Sequence, residues 1–420
     1  MTLPIVNVVI NFSTGAGFAP TLVLDDPVYG ILGTDALGDS ASTIVDVSDV
    51  VQSVNITRGR NALSDVFQTG TLGLRIADTT GAFNPSNTSS PYFGLLQPLR
   101  KVTITATDPN TSITWPLFAG YITGYNYQQS QFVGEVSTTT ITAVDGFRLL
   151  NLATLSTVTG SSAGDLSGTR INQILDEIGW PSTLRDVDAG LTTLQANPTA
   201  TRTALAALST VSISEYGALY MDAIGNVTFQ DRTVTAGSVA NTPTVFADDG
   251  TGIKYHQVKW VFDDSQIYND VTITRTGGTA QNSKNTSSIN TYFNHSYDQT
   301  DLLMQTDAVA LDYAQAYCAS RAETTTRCDA ITLDLTTPSY TAGVTAALSL
   351  DYFDQVTVKS TQPNTVGTSS LNKTLQVFGV SHAITPNTWF TTFTTLEPVI
   401  DSFILDSVLS GILNDDVLSY

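Results

Sequence analysis

From residue 5 to about residue 155 the sequence alternates apolar and polar residues with period two, in short runs cut by Gly, Pro, Asn and Asp. The run "SVNITRG" sets Val54 and Ile56 on one face, and "GTLGLRIAD" does the same with Leu72, Leu74 and Ile76. "KVTITAT", "WPLFAGYITGYNY" and "EVSTTTITAV" continue the pattern. Successive side chains of a strand point to opposite faces, so this period demands half-buried strands, and the spacing of the turn residues predicts an antiparallel barrel or sandwich.

The small-residue segment "SSAGDLSG" ends that pattern. Beyond it, Ile171, Ile174, Leu175 and Ile178 recur at helical spacing, with Gly179 and Pro181 as the stop. In "NPTATRTALAALS", Asn197 reads as a helix cap and Pro198 as the first helical residue. "GALYMDAIGNVTFQDR" reads as a hairpin: Leu219 and Met221 alternate, Gly225-Asn226 turns, and Val227 and Phe229 return. Strands resume from about residue 245, interrupted by one expected helix that Thr306 caps and that shows Ala310, Tyr313, Ala314, Tyr317, Cys318 and Arg321 on one face. The expectation is a mainly β (α+β) fold in four parts. These are a first β domain over 1–155 with a hairpin extension at about 20–45, an inserted α/β domain over 156–235, a second β domain over 236–400, and an extension over 401–420.

Only 13% of the 420 residues are charged, and 38 acidic against 18 basic side chains leave a formal charge of -20. Nucleic-acid binding needs a basic stripe, so that class is disfavoured. No apolar run reaches the length that spans a bilayer, so membrane insertion by this chain is not expected, and the first residues lack the basic start of a signal peptide. Cys318 and Cys328 are read as two buried thiols rather than a bridge or a zinc site. His256, His295 and His382 stand far apart, with no nucleophile elbow, phosphate loop or His-Glu-x-x-His motif. The Asp pairs at 25–26, 248–249, 263–264 and 415–416 lack the alternating ligand series of a calcium loop and read as solvated turns. No enzyme, cofactor or metal is expected. The scarce cations Arg58 and Arg60 project from one face of a strand; they pair with local acids such as Asp65 or Asp78, or else contact an acidic neighbouring subunit.

Those arginines open a block that resembles the first domain of phage minor tail proteins, the tail-tip components of long-tailed, non-contractile phages. The matching features are Arg58-Gly59-Arg60, the Gly70-Thr71 step, the turn from Asp78 through Gly81-Ala82-Phe83-Asn84-Pro85, and Phe118-Ala119-Gly120-Tyr121. "SEYGALYMDAIGNVTFQDR" and "FGVSHAITPNTWFTTFTTLEP" resemble later parts of the same proteins, in order. The resemblance implies two tail-tube-like barrels per chain, joined by inserted domains, in a homotrimeric hub. Three such chains set six barrels around an axis, so a threefold ring meets a sixfold one. It further implies a virion protein made in the host cytoplasm, with a distal tail protein or tail tube above it and tip or fibre proteins below. The lumen would hold tape measure protein and then pass DNA without binding it specifically. The alternatives are a hexameric distal tail protein and, in another class, a host-glycan-binding module. Against the latter, Trp115, Trp180, Trp260 and Trp389 fall in strands or beside helix ends rather than in loops.

One apolar phrase occurs twice. "FILDSVLSGILNDDVLSY" at 403–420 lies without a gap over "LVLDDPVYGILGTDALGD" at 22–39, with Leu24/Leu405, Asp25/Asp406, Gly30/Gly411, Ile31/Ile412 and Leu32/Leu413 identical. Each copy is too short to be stable alone. Either each packs on its own domain, or the two are docking arms that add strands to neighbouring tail components.

Overall fold

In the computed structural model, which describes residues 3–12, 44–61, 66–131, 136–235, 242–362 and 369–397, the alternating segments are strands. The first block contains β1 (Ile5–Asn11), β2 (Ile44–Asp46), β3 (Val51–Gly59), β4 (Gln68–Ala77), β5 (Lys101–Thr107), β6 (Thr114–Gln128) and β7 (Thr138–Val144). They pair antiparallel in the order β3-β4-β7-β6-β5-β1-β2. The alternation places Val54, Ile56, Leu72, Leu74, Ile76, Val102, Ile104 and Ile141 in the core, each 2% exposed or less.

Helix α1 (Phe147–Leu152) leads into the insertion. There follow β8 (Thr154–Leu155), α2 (Ser167–Glu177), β9 (Arg185–Val187), β10 (Arg202–Thr203), α3 (Ala204–Glu215), the hairpin β11 (Ala218–Met221) and β12 (Val227–Gln230), and α4 (Arg232–Thr235). The stripe expected on α2 is its buried face: Ile171, Ile174 and Leu175 are fully enclosed. Each such side chain stabilises the fold by about 1.5–3 kcal/mol. The hairpin turns as expected, with Asp222 Oδ1 accepting from the amides of Ile224, Gly225 and Asn226 and Gly225 at φ +95°.

The start of α3 is not where Asn197-Pro198 suggested. Asn197 Oδ1 accepts from Arg202 Nη2 at 2.8 Å, and residues 202–203 pair with β8 instead of coiling. Thr203 is the cap, its hydroxyl accepting from Ala206 N at 3.2 Å. At the other end of α3, the buried carboxylate of Glu215 accepts from the amides of Leu191 and Thr192 and from the Ser167 hydroxyl, tying α3 to the start of α2.

The remaining chain forms β13 (Thr244–Ala247), β14 (Gln257–Val261), β15 (Asp270–Arg275), β16 (Gln281–Lys284), α5 (Thr286–Tyr292), β17 (Ser296–Leu302) and α6 (Asp307–Arg321). It closes with β18 (Arg327–Asp334), α7 (Thr341–Ser349), β19 (Gln355–Gln362), β20 (Ser369–Thr385) and β21 (Thr388–Leu396). Thr306 caps α6 as expected, and Ala310, Ala314, Tyr317 and Cys318 form its buried face. The sequence reading expected one helix here; among the described residues three form. α5 and α6 accompany a separate sheet, β16-β15-β17, with its own core of Val271, Ile273, Leu302 and Met304 against α6. This unit interrupts the second block between β14 and β18 and is bonded to the insertion through Leu303 N to Ser214 Oγ (2.8 Å) and Gln195 N to Leu303 O (2.7 Å). α7 is Ala-rich, and its apolar residues Val344, Ala346, Ala347 and Leu348 are buried. Cys318 and Cys328 are buried free thiols in different cores. No helix among the described residues is long and apolar enough to cross a membrane.

Candidate functional site: the seam between the β blocks

Strand β20 belongs to both blocks. Its residues 369–376 pair with β19, and residues 379–384 of the same edge pair with β3 of the first block, while β21 lines the opposite edge. Among the described residues, one thirteen-stranded sheet therefore joins the two blocks. The handover falls at Val377–Gly379, where the register against β21 also shifts.

The Arg-Gly-Arg segment sits at that handover. Gly59 has φ +102°, and a Cβ built there would collide with the carbonyl oxygen of Phe378 and approach Gly379 Cα at 2.5 Å. Only glycine lets β3 come this close, and the Arg60 amide then donates to Phe378 O at 2.9 Å. Arg58 and Arg60 are 7% and 8% exposed. Arg58 Nη2 donates to both carboxylate oxygens of Asp351 at 3.1 Å, and its guanidinium lies 5.1 Å from the Tyr352 ring centroid. Arg60 stacks on Phe378 at 4.0 Å. The arginines thus bind across the seam within their own chain. Of the two local partners considered, Asp65 lies outside the described residues. Asp78 accepts from the amides of Ala82 and Phe83 and from the Thr139 hydroxyl.

Around the arginines, Phe67 of the first block and Tyr220 of the insertion meet Tyr352, Phe353 and Phe378 of the second block. Phe67 lies 5.0 Å from Tyr352 and 5.1 Å from Tyr220, and Phe353 lies 5.2 Å from Phe378, in tilted or edge-on pairs. Phe353 is held at φ +66°, with its amide donating to Val377 O, so the turn between α7 and β19 presents Asp351, Tyr352 and Phe353 to the seam.

The electrostatics follow from burial. Burial opposes the Arg58 charge, yet Asp351, Tyr352 and Asp222 raise its pKa above the ordinary value. Asp145, at the end of β7, accepts from the amides of Gly70 (2.5 Å) and Phe147 (3.0 Å). Burial pushes it up to about 7 against the pull of those amides and of Arg58. His382 on β20 shares Nδ1 with the Thr391 hydroxyl (3.0 Å) and Trp389 Nε1 (3.4 Å). Burial, helped by the Arg58 charge, pushes it down to about 3, so the ring is neutral.

The other quoted motifs are architectural too. A Cβ at Gly70 would meet Asp145 Oδ2 at 2.8 Å, and one at Gly120 would meet the Phe118 ring at 2.7 Å. The Asp78 turn buries Phe83 beneath Tyr92. No group of three or more His, Cys, Asp or Glu side chains is arranged to hold a metal among the described residues. Leu24, Asp25, Gly30, Ile31, Leu32, Leu405, Asp406, Gly411, Ile412 and Leu413 lie outside the described residues. Sequence reasoning missed Asp145, Asp351, Tyr352 and Phe378 and gave His382 no role; for Asp351, Tyr352 and Phe378 nothing local marks a partner some 300 residues away. The one available signal was the scarcity of arginine in so acidic a chain.

No family model and no curated protein sequence matches the chain. The structure is similar to the 43 kDa tail protein of prophage MuSo2 from Shewanella oneidensis, with TM-score 0.53 and 13% identity over 86% of this chain and 96% of that one. It is also similar to a tail protein from Neisseria meningitidis MC58, with TM-score 0.53 and 10% identity over 85% and 94%. The chain therefore shares the mainly β fold of these tail proteins along nearly the whole length of each.

Proposed function

We propose that this chain is a structural, non-catalytic component of a phage tail tip. It acts as a hub or adaptor ring that joins the sixfold tail tube, or a distal tail ring, to threefold tip components around the DNA channel. The seam carries this reading: one polypeptide holds two mainly antiparallel β blocks, with β13 and β19 as a parallel pair in the second, joined edge to edge through β3 and β20. Three copies of such a chain offer six β blocks to a common axis, which is what a threefold-to-sixfold adaptor needs. The fold shared with two tail proteins supports a place in a tail. The motif residues brace strands and turns, as befits a part whose work is to hold shape while DNA passes.

The charge of -20 supports a lumen that repels phosphate and lets DNA slide. In this reading a distal tail protein or tube lies above the ring, tip or fibre proteins lie below, and tape measure protein occupies the lumen before ejection. Native mass measurement of the purified chain, alone and with its tail neighbours, tests it. The expected mass is three times the 44.7 kDa chain. Six copies would transfer the chain to the distal ring, and a chain that stays monomeric even with its tail neighbours would overturn the hub.

A further inference from the structure

We infer that residues 403–420 dock in an apolar crevice of their own chain, an inference that stands whether or not the tail-tip reading does. The crevice has a volume of about 340 Å³ and lies between the start of β4 and the insertion, lined by Val66, Phe67, Leu205, Ser209, Ile213 and Ala218 among others. A hollow of about 70 Å³ extends it toward Tyr297 and Phe378, with Arg60 on its wall. The size suits several aliphatic side chains rather than one. In a chain with twice as many acids as bases, the described lining of both cavities holds one cation and no carboxylate.

Charge and position both select the occupant. Residues 398–420 carry Asp401, Asp406, Asp415 and Asp416 but no Lys or Arg, and their apolar runs Phe403-Ile404-Leu405 and Ile412-Leu413 match an apolar, acid-free site beside Arg60. β21 ends at Leu396, whose partner Gln376 is two residues from Phe378 on the wall of the hollow. Strand geometry puts that end within about 10 Å of the site. A linker the length of residues 397–402 reaches at most about 20 Å, so the site is within reach of the phrase and weak docking would suffice to hold it. The other copy of the phrase falls in sequence between β1 and β2, the two strands that close the sheet order at the end away from β20.

Limited chymotrypsin digestion of the intact protein, followed by mass, tests the docking. Cleavage within 403–420 should be slow in the unsubstituted chain. It should be at least about tenfold faster in Ile412→Asp/Leu413→Asp and in Ser209→Trp, which fills the crevice. The protection should not change on dilution. Equal cleavage in the unsubstituted and Ile412→Asp/Leu413→Asp chains overturns the inference, as does a folded Ser209→Trp chain with unchanged cleavage. Protection that vanishes on dilution would assign the phrase to a second copy and also overturn it. If Ser209→Trp does not fold, hydrogen exchange decides. Amides of 66–69 and 213–218 should exchange severalfold faster in Ile412→Asp/Leu413→Asp, and equal rates refute docking.

Discussion

Replacing Gly59 with alanine should break the joint between the blocks. The φ of +102° costs an L-residue about 1–3 kcal/mol by itself. The new methyl group would meet the main chain of β20 at Phe378 and Gly379, which cannot swing aside as a flexible side chain would. Relief requires the strands to part, losing the Arg60 N to Phe378 O bond and weakening the next rung, at about 1 kcal/mol each. The sum is about 3–5 kcal/mol, a large share of the 5–15 kcal/mol that typically holds a domain together. Gly73, on adjacent strand β4, supplies the control, because a Cβ there meets nothing within 4 Å. Gly73→Ala should be neutral or stabilising by up to about 1 kcal/mol. Urea titration followed by circular dichroism and by tryptophan fluorescence distinguishes the two. Gly59→Ala should lower the midpoint and separate the transitions seen by the two probes, since the blocks lose their coupling. A Gly59→Ala protein as stable as Gly73→Ala would refute the claim that the seam depends on close backbone approach.

Asp351→Asn leaves Arg58 buried without its counter-charge and should cost about 1–3 kcal/mol. This falls below the figure for a wholly enclosed pair because the Asp351 side chain is 39% exposed; Arg58→Met/Asp351→Leu should recover much of the loss in the same titration. Two seam groups oppose each other with pH. Asp145, raised to about 7, contributes stability that is complete below pH 4 and lost as pH rises through 7. His382, lowered to about 3, contributes stability that is present above pH 6.5 and lost as pH falls toward 3. Their slopes cancel between about pH 4 and 6.5. Over that window His382→Gln should gain acid stability relative to the unsubstituted chain by up to about 1.4 kcal/mol per pH unit, and Asp145→Asn should lose it, as read from melts across pH. Thr203→Ala should cost about 1 kcal/mol as a lost helix cap; an equal loss from Asn197→Ala would contradict the assigned start of α3.

Much of the fold was legible because the relevant physics is local. Period-two alternation marked the strands around Val54, Leu74 and Ile104, and helical spacing marked α2, since a buried stripe must be written into consecutive residues. The start of α3 was misread because Asn197 finds a nearby guanidinium, Arg202, that a cap rule does not weigh. In the sheet of β15, β16 and β17 the alternation of "DVTITR" marks the central strand, whereas the edge strands, "QNSK" and "SYDQTDL", escaped notice because they are polar. The seam was illegible for a different reason. Arg58 and Arg60 were singled out as scarce cations, but Asp351 and Phe378 reach them through a topology that no short window contains.

The divided edge of β20 also dictates an order of events during synthesis. The first block can complete its own strands early, yet the edge of β3 lacks its partner until residues 379–384 emerge, more than 300 residues later. At translation rates of roughly 5–20 residues per second, that edge stays unpaired for at least about 15 seconds, inviting mispairing with other nascent chains. Crowded polysomes should therefore yield aggregates seeded at β3, and a chaperone that shields this strand should raise the yield more than one acting on the finished protein.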